Sequence, residues 1–132
     1  MKVLFIDPEE QTSLAWADRL KIFSSDYDVL HAADGHSGLS LLRTEQVDCV
    51  VLELNQLDNS GLSLLLNLVP RVRHPDLPIV VLTNFDLAAL FPLAIQHGAH
   101  SCLVKSQTSV EDLDRAIRKA IAVVGPKKNR SP

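Results

Sequence analysis

Val47 to Gly61, VDCVVLELNQLDNSG, decides how the rest of the chain is read. Val47, Cys49, Val50, Val51, Leu52 and Leu54 form a nearly unbroken apolar run, interrupted by Asp48 and Glu53. A run this short, rich in β-branched residues and bounded by turn residues, predicts a strand buried on both faces at the centre of a parallel sheet. Glu53 stands at its carboxyl end, where an ionised side chain is costly unless it points into a crevice. In open α/β sheets, that crevice beyond the strand ends is where ligands bind.

Outward from this strand the chain alternates. Residues 2–6 (KVLFI) predict a first strand that stops at Asp7-Pro8, with Pro8 placed for a helix's first turn. A helix follows from about Glu9 to Ser24, its stripe carried by Trp16, Leu20 and Phe23. Tyr27 to Ala32 is a second strand, and Asp34 caps a helix that turns Leu39, Leu41 and Leu42 to the sheet. Beyond the turn-rich loop at 55–60, Leu62 to Arg73 reads as an unusually apolar helix bent or ended by Pro70. Leu77 to Thr83 predicts a fourth strand, Asp86 to His97 a helix closed by Gly98, and Ser101 to Val104 a fifth strand. Ser109 with Asp112 starts a last helix whose stripe is Leu113, Ile117, Ala120 and Val124, and Gly125-Pro126 stops it.

Strict alternation of strand and helix implies a three-layer α/β sandwich of flavodoxin-like (βα)5 type, with parallel strand order 2-1-3-4-5. Residues 1–124 would form this domain and residues 125–132 a disordered polar tail. In that order Asp7, Glu53, Thr83 and Lys105 meet in one crevice, each from the end of a different strand.

Composition narrows the function. At 132 residues, 46% hydrophobic and 22% charged, the chain can bury a core, and its net charge of −3 carries no basic footprint for nucleic acid or membrane. Cys49 and Cys102 lie in apolar runs and read as buried reduced thiols, which suits a cytoplasmic setting. The five histidines lack ligand spacing, so no metal site is inferred from them. The glycines of Asp34-Gly35-His36-Ser37-Gly38 match neither a dinucleotide loop nor a nucleophile elbow, which sets aside a small flavodoxin-like enzyme.

The motifs VLFID, VVLELNQLDNSG, PIVVLT and GAHSCLVKS, in this order and spacing, resemble the receiver domains of two-component response regulators, of the chemotaxis single-domain type. The resemblance spans residues 2–124. It implies that position 53 would be an aspartate phosphorylated by a histidine kinase, with magnesium held by an acid pair after the first strand. It also implies a carbonyl ligand at Asn55, a hydroxyl at Thr83, a lysine at Lys105 and an aromatic switch in the fifth strand. Asp7, Asn55, Thr83 and Lys105 match. Glu53, Pro8, Cys102 and Ser106 depart from the phosphoacceptor, the second acid, the switch aromatic and the following proline, and Leu57 replaces a loop proline.

Phosphoryl transfer is positioning plus charge stabilisation. Glutamate extends its carboxylate by one C–C bond, and a misplacement of roughly 1 Å can cost on the order of a hundredfold. Proline at position 8 removes a carboxylate that magnesium would use. The expected function is therefore an atypical, unphosphorylated, non-catalytic receiver acting through protein contacts, with no cofactor. The alternative is a conventional receiver that uses Mg2+ and still accepts phosphate. Glu53 reaching Lys105 would either imitate a phosphorylated aspartate or be an ion pair left by a lost function. Cys102 is too small to act as a rotamer switch. The apolar helix 86–97, with Leu87, Leu90 and Phe91, joins Val104 and Ser106 as a candidate interface to a signalling protein, a histidine kinase or a second copy. No effector domain is expected after Gly125 and so no direct DNA-binding output, and with no polybasic patch neither nucleic acid nor membrane is an expected partner.

Overall fold

The structure is a computed structural model that describes residues 1–7, 10–54, 77–84, 90–96 and 98–124. The predicted helix 62–73 and the tail 125–132 lie outside the described residues, as do Pro8, Asn55, Leu57 and Leu87.

The strands are β1 (Lys2–Ile6), β2 (Asp28–Ala32), β3 (Cys49–Leu54), β4 (Ile79–Thr83) and β5 (Ser101–Val104). The described helices are α1 (Glu10–Phe23), α2 (Gly35–Thr44), α3 (Leu90–Gln96) and α4 (Val110–Val124). All pairings are parallel, in the order β2-β1-β3-β4-β5, so the sheet is the flavodoxin-like one expected.

Each strand supplies both cores because its side chains alternate across the sheet. Leu4, Ile6, Val50, Leu52, Ile79 and Val81 face one side, where Leu39, Leu41 and Leu42 of α2 and Ala94 of α3 cover them. Val3, Phe5, Cys49, Val51, Val80 and Leu82 face the other, under Trp16 and Leu20 of α1 and Leu113, Ile117 and Ala120 of α4. Leu113 and Ile117 are completely buried, each worth about 2 kcal/mol in transfer free energy. Phe23 does not join the α1 stripe. The buried residues there are Trp16, Ala17 and Leu20, and Phe23, the helix's last residue, is exposed with Leu14 and Ile22.

Local signals set the helix ends. Ser109 Oγ accepts from Asp112 N–H and Asp112 Oδ2 from Ser109 N–H, both at 3.1 Å, the reciprocal box expected at the start of α4. Gly98, with φ 115°, closes α3: its N–H donates to the Ile95 carbonyl, and Ala99 N–H donates to the Ala94 carbonyl. This is a Schellman motif, which requires the left-handed conformation glycine tolerates. Pro92 is the third residue of α3 as described. At Gly38 a Cβ would lie 2.6 Å from Ile6 Cδ1, so glycine lets α2 approach β1.

Candidate functional site

The sheet order brings together the strand ends that carry Asp7, Glu53, Thr83 and Lys105. Asp7 directly follows β1, and its N–H continues the ladder to the Ala32 carbonyl at 2.9 Å. Glu53 is in β3 opposite Leu82, and Thr83 is the last residue of β4. Lys105 directly follows β5 and opens a short 3-10 turn, Lys105–Gln107. Asp7, Glu53 and Thr83 are the buried polar residues of the described structure.

Lys105 Nζ lies 2.6 Å from Glu53 Oε1, with the Glu53 side chain fully inaccessible and that of Lys105 12% exposed. The Asp7 carboxyl adds to this burial in favouring the protonated form of Glu53. Burial, followed by the Asp7 hydrogen bond, pushes Glu53 up to about 8, against the opposing pull of Lys105. Apart from these two partners, no donor among the described residues reaches the Glu53 oxygens.

Magnesium requires ionised oxygen ligands in near-octahedral array. Position 8 offers no carboxylate, and the Glu53 carboxyl is engaged by a lysine and a second carboxyl. These donors do not fit a magnesium site. No group of three or more His, Cys, Asp or Glu side chains among the described residues is arranged to hold a metal.

The remaining expected residues separate. Cys102 is buried between β4 and α3, and burial raises its thiol to about 11, so it stays protonated and unreactive at neutral pH. Ser106 is exposed in the 3-10 turn. Val104 corrects the interface reading: it is 5% exposed, its side chain turned inward by the alternation of β5, and its carbonyl accepts from Thr108 Oγ1 at 2.6 Å. Leu90 and Phe91 open α3, and their side chains, like Leu87, lie outside the described residues. On the described part of α3, Ile95 is 48% exposed.

His31 was missed. Its Nε2 lies 3.1 Å from the Asp7 carbonyl oxygen, tying β2 to the residue that follows β1. The available signal was a polar ring near the end of a strand that pairs directly with β1.

Comparison with known proteins agrees with this geometry. Residues 3–118 match the response regulator receiver domain. A probable transcriptional regulator ycf27 of Porphyridium aerugineum is 32% identical over 122 residues, covering 91% of this chain and 48% of that protein. The chain thus spans about half the length of that relative. A response regulator receiver domain protein from Clostridium thermocellum is similar with a TM-score of 0.77 and 26% identity, over 92% of this chain and 94% of that one. A response regulator from Burkholderia pseudomallei, solved with a phosphorylated aspartic acid, a calcium ion and citrate, gives 0.74 and 28% over 93% and 69%. No described helix is long and apolar enough to cross a membrane. With a single family accounting for residues 3–118 and the sheet order repeating its fold, this chain belongs to the response regulator receiver domain family.

Proposed function

We propose that this receiver has left the phosphoryl-transfer cycle of two-component signalling and works as a phosphorylation-independent protein-binding module. The contact of Lys105 with Glu53 carries the reading. The side chain at the phosphoacceptor position is enclosed and engaged by the lysine. A locked crevice accords with Cys102, which leaves β5 without an aromatic rotamer to couple crevice and outer face. Binding would run through the face of α3, β5 and α4, where Ile95 is exposed, toward a signalling protein or a second copy.

The test is amide chemical-shift mapping with magnesium and beryllofluoride, followed by acetyl phosphate labelling. Unmoved resonances at Glu53, Thr83 and Lys105 are expected. Saturable, magnesium-dependent shifts there would instead establish a conventional phospho-accepting receiver.

A further inference from the structure

We propose that His100 is an acid-sensitive latch that fastens the turn between α3 and β5 to the edge of β4. The residue sits just before β5, and its backbone N–H donates to the Ile79 carbonyl at 2.7 Å. Its side chain closes a second bond to the same residue: Ile79 N–H donates to His100 Nδ1 at 3.2 Å. The first β4–β5 pair is Val80 with Ser101, so Ile79 stands one residue outside the ladder. Its N–H is met by an imidazole where a continuing strand would offer a carbonyl.

The bond sets the ring's chemistry. A nitrogen that accepts from an amide carries no proton, so the ring is neutral with its hydrogen on Nε2. Protonation would set Nδ1–H against Ile79 N–H, donor facing donor, and one backbone amide at the start of β4 would lose its partner. Burial opposes the charged ring and holds His100 below its ordinary value. Ile79, whose N–H meets the ring, and the chain neighbours Ala99 and Ser101 are not titratable. No charged side chain among the described residues acts on it. The latch therefore responds to the proton through burial and one hydrogen bond, independently of the Glu53 crevice at the opposite end of the strands.

What the latch holds is the exit of α3. Gly98 and Ala99 cap that helix immediately before His100, and Ala94 and Ala99 are packed in the core beneath. Release of the ring frees this turn while leaving the pairs from Val80–Ser101 onward intact.

The experiment is nitrogen-detected NMR of the imidazole with amide hydrogen exchange across pH 5 to 8 in the whole chain. We expect the Nε2–H tautomer at neutral pH. Protection of Ile79, corrected for intrinsic exchange, should fall by up to about tenfold per pH unit between the ordinary imidazole value and the lower His100 midpoint, and level off below that midpoint. His100→Asn supplies an amide oxygen in place of Nδ1 and cannot titrate there, so Ile79 should stay protected without that pH dependence. An unaffected Ile79 amide while His100 titrates in the wild type would overturn the proposal, as would the same pH dependence persisting in the asparagine variant. The wild-type measurement decides by itself if that variant does not fold.

Discussion

Lys105 and Glu53, 52 residues apart in the chain, meet at 2.6 Å across the carboxyl edge of the sheet, the glutamate side chain wholly enclosed. A lysine from the end of β5 thus occupies the carboxyl that β3 presents. Burial, with Asp7 alongside, holds a proton on Glu53 well above the ordinary carboxyl range.

That proton gives the domain a signed pH dependence. Glu53 is raised from 4.5 to about 8, so between these values the folded chain keeps a proton that the unfolded chain has released. Stability then falls as pH rises through this window and levels off above it. Urea unfolding at pH 5, 7 and 9 should show this slope, and Glu53→Gln should flatten it. Parallel profiles for the two proteins would contradict a proton held on Glu53 through this window.

Restoring the two missing features should restore the chemistry. Glu53→Asp alone withdraws the carboxyl by one bond but leaves position 8 without an acid, so no labelling by acetyl phosphate is expected. Pro8→Asp combined with Glu53→Asp should gain magnesium-dependent labelling, read by mass spectrometry as one phosphoryl group. Labelling of the single variant at the rate of the double would show that position 8 is not limiting.

The approach of α2 to β1 through Gly38 predicts a coupled pair. Gly38→Ala drives a methyl toward Ile6 Cδ1 and should cost about 1–3 kcal/mol by overpacking. Ile6→Val removes that terminal methyl and alone should cost about 0.5–1.5 kcal/mol. The double variant should be more stable than the sum of the two losses. Strict additivity in denaturant midpoints would exclude the contact.

The chain's single tyrosine offers a clean optical readout at the other end of the sheet. Tyr27 donates its hydroxyl to Asp114, which Arg118 Nε also reaches at 2.8 Å. Burial, then the Asp114 hydrogen bond, pushes the phenol well above its ordinary value. Ultraviolet titration should show no phenolate near pH 10 in the folded chain, and Asp114→Asn should bring ionisation down. Because the unfolded phenol ionises first, stability should decline above pH 10. Tyr27→Phe should cost about 1 kcal/mol at neutral pH.

The architecture was legible because it is written in local periods. Two-residue alternation and apolar runs place the strands, and Ser109-Asp112 and Gly98 place helix ends by bonds that reach only a few residues. Strand order follows once every unit is strand then helix, so the meeting of Asp7, Glu53, Thr83 and Lys105 could be expected from the sequence alone. The replacement of an aspartate by Glu53 and of an acid by Pro8 is likewise a matter of residue identity.

Charge state, burial and orientation belong to the tertiary structure. That Glu53 is enclosed and keeps its proton to about pH 8 depends on how closely three strand ends converge, a distance no spacing in the chain encodes. Val104 turned inward, Phe23 left outside the core, and His31 bracing Asp7 each depend on where an element ends against its neighbour. The imidazole of His100 standing in for a strand carbonyl depends on the turn at Gly98 delivering it to Ile79. Periodicity fixes which face a residue shares, but only packing between distant segments fixes what it touches, and with that its charge.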